Sequence, residues 1–284
     1  MDEEDLNLGN GSEQDGETAR EREMVQDIFN EYARFPQVHG MTIGGSRAVK
    51  RNDGFSDYDV YVYCTESVAA EQRRGVLEKY CGGMALDSHG REHEDVCMMD
   101  DGTELNIVYR NLDEFLAGID RVVTRHEVLD GCTTGMWHNL LTGRIAYDKG
   151  GLLAAAKEKY RVPYPQELKN NIISHHMNLI KYGLPSFMEQ IGKAMKRGDL
   201  VHINQSVSRF LDSYFDIIFA LNEKQHPGEK RLIQICQEEC SILPARFELN
   251  IRLLLNSMFK DPAAVSVVDV MVSELEKVIG ETLA

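Results

Sequence analysis

Met41–Tyr63 reads MTIGGSRAVKRNDGFSDYDVYVY, and this pattern decides the fold of the first half of the chain. An apolar strand enters a Gly-Gly-Ser turn, a polar loop follows, and a second strand ends in the apolar-aromatic run Val60–Tyr63. Asp57 and Asp59 stand two apart on that second strand. Side chains at i and i+2 of a strand leave the same face. The two carboxylates therefore converge, with Cα atoms roughly 6–7 Å apart by strand rise. Convergent acid oxygens make a hard, anionic site suited to Mg²⁺. Gly44 and Gly45 let the backbone turn sharply and come close to a ligand, as a phosphate cradle requires. Ser46 adds a hydroxyl and Arg47 a guanidinium. A glycine-rich turn for phosphates beside a carboxylate pair for metal is the equipment of phosphoryl or nucleotidyl transfer.

Gly45-Ser46, ten residues, then Asp57-x-Asp59 and an apolar run resembles the signature of the polymerase-beta-type nucleotidyltransferase superfamily. Within it the chain looks most like the small-molecule branch, which includes the aminoglycoside nucleotidyltransferases, and an uncharacterised bacterial family related to it. The resemblance implies an α+β fold, with an N-terminal mixed β-sheet domain flanked by helices and an all-helical C-terminal bundle. It implies Mg²⁺-dependent transfer of a nucleoside monophosphate, AMP from ATP, onto a hydroxyl of a small molecule. Asp57 and Asp59 would hold two ions, while Gly45, Ser46 and Arg47 would hold the β- and γ-phosphates. An acidic cleft would suit a cationic acceptor such as an aminoglycoside.

Members of the superfamily usually carry a third carboxylate on a neighbouring strand. Here Thr103–Tyr109 offers Glu104 and Asn106 on one strand face. Glu104 is the preferred third acid, catalytic and metal-binding. If the position is Asn106, the ligand is neutral and weaker, and the protein binds nucleotide with little turnover. A third reading is one member of a toxin–antitoxin pair, against which the fused helical domain and the chain length count.

At 284 residues the chain holds one large domain or two modest ones. Hydrophobic content of 43% and charged content of 27% fit a globular protein. The net charge of −15 argues against nucleic-acid binding, which wants basic patches. Residues 1–27 carry ten acids against two bases, and 1–16 read as an acidic disordered tail. No apolar run approaches membrane-helix length and no signal-peptide pattern opens the chain. Six cysteines without a CxxC pair point to reduced thiols and a cytoplasmic setting. Cys236 and Cys240, one helical turn apart, read as a buried helix face rather than a metal site.

Along the chain, a helix is expected from about Thr18 to Phe35, a strand over Val38–Ile43 and a helix over Ser67–Tyr80 closed by Gly82-Gly83. His89 and His93 then read as polar residues of a surface loop. Glu94–Met99 and Thr103–Arg110 read as strands joined by Asp100-Asp101-Gly102, a hairpin signal. A helix over Leu112–Leu129, a short helix over Met136–Leu141 and a strand over Arg144–Asp148 complete a nucleotidyltransferase-type domain at residues 17–162. From 163 to 284 the pattern is helical, punctuated by Pro163, Pro165, Pro185, Pro227 and Pro244.

Within that second half, Arg209, Asp212, Asp216 and Glu223 recur at helical spacing, either as a solvent-facing stripe or facing the catalytic cleft. Lys230 falls in the expected first turn of a helix, where a cation is unfavourable unless an anion meets it. It is accordingly the candidate contact for a triphosphate, a solvated basic turn being the alternative. His176 or its neighbour His175 reads as a core or interdomain histidine, and Trp137 as packing.

Overall fold

The computed structural model describes residues 19–48, 57–89, 92–100, 102–261 and 264–283. The acidic tail, most of the polar loop before Asp57, Asp101 of the hairpin turn and Pro262 lie outside the described residues. Two compact units divide the chain: Met1–Asp120 with Met136–Arg161, and Arg121–Gly135 with Val162–Ala284. The second unit thus takes in Arg121–Gly135, a stretch that sequence reading assigns to the first domain.

The fold is α+β. In the first unit, β1 (Val38–Ile43), β2 (Tyr58–Cys64), β3 (Cys81–His89), β4 (His93–Met99), β5 (Glu104–Asn111) and β6 (Arg144–Asp148) form one sheet in the order β3-β4-β5-β2-β1-β6. β2 and β5 run parallel and every other neighbouring pair is antiparallel. Period-two alternation gives this sheet a core face. Tyr58, Val60 and Val62 of β2 are buried there with Leu105, Ile107 and Tyr109 of β5 and Met41 and Ile43 of β1. Val25, Ile28, Phe29 and Tyr32 of α1 (Ala19–Tyr32) and Val76 and Leu77 of α3 (Ala70–Leu77) belong to the same core.

A polar network runs from that core to the surface. Arg73 of α3 pairs with Asp95 of β4, and the two are 2% and 0% exposed. Asp95 also accepts from the Asp87 backbone N–H at 3.0 Å and from the Tyr109 hydroxyl at 2.9 Å. Asp87, at φ +52°, holds a second arm of Arg73 at 2.7 Å and pairs with His93. Burial pushes the Tyr109 hydroxyl far up, and the nearby Tyr32 and Asp95 add to it.

β3 departs from the sequence reading. Gly82-Gly83 does not end a helix but lies inside a strand, and His93 opens β4 instead of sitting in a loop. The expected helix over Ser67–Tyr80 is shorter, Ala70–Leu77. The Leu112–Leu129 helix also stops early, as α4 (Leu112–Val123). α5 (Gly135–Thr142) and α6 (Leu152–Tyr160) flank β6 in sequence. Trp137 is packing: it is 1% exposed, and its indole N–H donates to the Tyr160 carbonyl at 2.9 Å.

The second unit is helical: α7 (Gln166–Met177), α8 (Phe187–Arg197), α9 (Leu200–Leu221), α10 (Leu232–Glu239), α11 (Phe247–Ser257) and α12 (Ala264–Leu283). Ser186 caps α8 by accepting from the Glu189 N–H, and Asp199 caps α9 by accepting from His202. Gly198, left-handed at φ +64°, ends α8. α9 is the axis of this unit's core, with Phe210, Tyr214, Ile217 and Ile218 buried against Ile191, Ile251 and Met271. No helix among the described residues is long and apolar enough to cross a membrane.

Candidate active site

The Gly-Gly-Ser turn and the acid strand meet at the open end of β1 and β2. The ladder between them ends at Ile43 opposite Val60, and the Gly44 N–H donates to the Asp59 carbonyl at 2.7 Å. The chain then makes a single helical turn, α2 (Gly45–Ala48), closed by the Ala48 N–H on the Gly44 carbonyl at 3.2 Å. Ser46 is the second residue of that turn.

Both glycines are required by what faces them. A Cβ on Gly44 would stand 2.4 Å from Cε2 of Tyr61. A Cβ on Gly45 would stand 1.9 Å from Oδ2 of Asp59, and Gly45 sits at φ +61°, where L-residues are strained. The backbone of the turn is therefore laid directly against the Asp59 carboxylate.

Asp57 precedes β2 by one residue and shares the face of Asp59, away from the core. Arg47 reaches back to it: Nε donates to the Asp57 carbonyl at 3.2 Å, and the guanidinium carbon lies 3.9 Å from the Tyr58 ring centre. This residue ties the turn to the start of β2.

β5 supplies the neighbour of the acid pair. Asn106 is the ladder partner of Asp59, and its amide Nδ2 donates to Asp57 Oδ2 at 3.2 Å. Glu104 shares that face but opens β5, exposed, opposite Met98 of β4. Of the two β5 candidates, Asn106 is the one hydrogen-bonded to the acid pair, and Glu104 lies two residues upstream of it. Among the described residues no three His, Cys, Asp or Glu side chains gather as a metal cluster.

The same sheet face carries more acid. Glu94 of β4 is the partner of Val108, which faces as Asn106 does. Burial raises the Glu94 carboxyl, and the charges of Glu92, Glu104 and Asp95 raise it further. Tyr61, two residues beyond Asp59, is pushed up to about 12, by burial first and by the Asp59 charge as well, against the pull of Arg110. It stays a neutral phenol.

In the second unit, the structure moves several expected residues. Lys230 does not stand in a first helical turn: α10 begins at Leu232, and Arg231 is its N-cap at φ +59°. Lys230 thus precedes the helix instead of lying in its first turn, and a second cation, Arg231, stands at the N-cap. The Arg209–Glu223 stripe splits. Arg209 and Asp212 are exposed, and Glu223 pairs with Lys169 at 3.1 Å. Asp216 is 1% exposed; it accepts from the Thr133 N–H and hydroxyl and pairs with His176 at 2.9 Å. His176 also meets Ser213 at 3.0 Å and is fully buried, a core histidine. Cys236 and Cys240 are free and buried; Cys236 lies in α10, whereas Cys240 is the extended C-cap just past the helix that was expected to carry both.

A family described only as a domain of unknown function (DUF4037) matches residues 135–232, about a third of the chain. No protein of curated function matches the sequence. Three solved structures are similar over most of the chain. A nucleotidyltransferase-like protein from Exiguobacterium sibiricum 255-15 is 13% identical with a TM-score of 0.42, covering 91% of this chain and 74% of that one. An aminoglycoside 6-adenyltransferase from Bacillus subtilis is 12% identical with a TM-score of 0.34, covering 92% and 90%. The Thermotoga maritima CCA-adding enzyme complexed with tRNA is 11% identical with a TM-score of 0.26, covering 92% and 80%. Similarities of this size do not speak to chemistry.

Proposed function

We propose that this chain is a Mg²⁺-dependent nucleotidyltransferase that moves a nucleoside monophosphate, AMP from ATP, onto a hydroxyl of a small molecule. The observation that carries the reading is the contact between turn and acid: the Gly45 backbone lies so close to the Asp59 carboxylate that a methyl group has no room. Phosphates cradled by Gly45, Ser46 and Arg47 would lie beside the carboxylates of Asp57 and Asp59. Mg²⁺ is commonly held by one or two carboxylates plus substrate phosphates, so this donor set fits without a third protein acid. Bound there, the metal would lower the pKa of the attacking hydroxyl and neutralise charge on the triphosphate. Arg47 fixes the Asp57 backbone from the turn, and Asn106 orients its side chain from β5. Glu104 is available to reach the site from the strand start. Glu94 and Glu104 give the same sheet face a negative field, which favours a cationic acceptor of aminoglycoside type.

A second reading is favoured by one contact. Asn106, a neutral amide, holds the place beside Asp57, and a site with two carboxylates could bind Mg²⁺–nucleotide without turning it over. Incubating the purified chain with each labelled NTP, Mg²⁺ and a panel of aminoglycosides and lysate proteins separates the two. Pyrophosphate with a labelled acceptor supports transfer. Nucleotide bound with neither product across the panel supports the regulatory reading.

A further inference from the structure

Cys81 opens β3, one of the two end strands of the sheet, and Cys97 lies in β4 beside it. Cys81 is the ladder partner of Met99, which makes Cys97 its diagonal neighbour, and the ladder is irregular between Cys81 and Gly83. Such a bulge re-aims side chains, and here the two sulfurs stand 2.8 Å apart. Both thiols are free and turned into the core, 8% and 2% exposed. Each sulfur is within hydrogen-bond distance of the other.

We infer that Cys81 and Cys97 form a modification site, a thiol pair that closes to a reversible disulfide by exchange with a low-molecular-weight disulfide such as glutathione disulfide. Cys81, the more exposed of the two and on the end strand, is the entry point. Its thiolate attacks one sulfur of glutathione disulfide and expels a glutathione thiolate. The Cys97 thiolate then attacks the Cys81 sulfur of the mixed disulfide and expels the second glutathione. In sum, two protein thiols and one glutathione disulfide give one protein disulfide and two glutathione thiols. The Cys97 thiol beside Cys81 holds the Cys81 thiol below its ordinary range, while the same contact and burial push Cys97 up, which agrees with Cys81 attacking first. The bond would tie the end strand to β4, whose own partner β5 carries Asn106. This inference stands apart from the nucleotidyl-transfer reading and does not need it.

A peptide map tests it. The reduced full-length chain is treated with glutathione disulfide under native conditions, alkylated and cut with trypsin. Cleavage after Lys79, Arg91 and Arg110 separates the two cysteines, so the bond joins peptide 80–91 to peptide 92–110, and dithiothreitol parts them. The titratable thiols are expected to fall from six to four. Cys81→Ser, Cys97→Ser and Cys97→Ala should each abolish the joined peptides. Six persisting thiols would overturn the inference. So would glutathione adducts without the joined pair, or a bond confined to Cys236 and Cys240, which share the tryptic peptide 232–246.

Discussion

At the scale of single residues, the site turns on what Gly45 lacks. Alanine there would strain the backbone at φ +61° and push a methyl to 1.9 Å from Asp59 Oδ2. Gly150 makes a matched control, since it also has positive φ, +72°, but nothing within 4 Å of its Cβ position. Both substitutions should cost about 1 kcal/mol of stability or more from the backbone alone. Only Gly45→Ala is expected to weaken Mg²⁺–ATP binding, by at least about tenfold, or about 1.4 kcal/mol, because only there must a carboxylate move. Equal affinities for the two variants would detach the turn from the acid pair. The third ligand is a second residue-level question. Asn106→Asp places a third acid beside Asp57 and should tighten Mg²⁺ binding measured by calorimetry. If Glu104 completes the site, Glu104→Gln should cost turnover about a hundredfold, the scale of losing a transition-state stabilising group, and Asn106→Ala much less. The opposite order would give the role to Asn106, whose contact with Asp57 is direct.

At the scale of elements, the buried pair between α3 and β4 makes the clearest stability claim. Arg73→Met would leave Asp95, 0% exposed, without its cation. Breaking one side of a buried pair costs on the order of 3–5 kcal/mol. Denaturant unfolding should show that loss, and Arg73→Met with Asp95→Leu should lose less than the two single changes added together. Additive losses would mean that the two side chains do not depend on each other. This network also shows where sequence reading stops. β1, β2, β4, β5 and β6 were legible because alternation of apolar and polar residues, or an apolar-aromatic run, marks each one. β3 was not. Its Gly82-Gly83 looks like a helix end, and the alternation behind it is short, with only Met84 and Leu86 turned to the core between exposed Gly83, Ala85 and Asp87. Arg73 and Asp95 lie 22 residues apart with no spacing rule to join them. The same is true of Asp216, whose helical spacing with Arg209 and Asp212 suggested a stripe facing solvent or a cleft, while its partners, Thr133 and His176, come from other segments. The start of α10 lies three residues later than the expected Glu229, because Arg231 caps the helix in the left-handed region.

At the scale of the molecule, the acid pair and the matched family segment occupy different parts of the chain. The match spans 135–232, whereas the turn and carboxylates lie in β1, α2 and β2, well before it. Nucleotidyl transfer here rests on the local geometry of Gly45, Asp57 and Asp59 and on the Mg²⁺–nucleotide chemistry they fit. The most direct measurement is calorimetric titration of the full chain with ATP, with and without Mg²⁺, repeated for Asp57→Asn and Asp59→Asn after circular dichroism has established that each variant is folded. Saturable ATP binding that requires Mg²⁺ and weakens at least about tenfold in each variant is expected. ATP binding of equal strength in wild type and both variants, or independent of Mg²⁺, would contradict it.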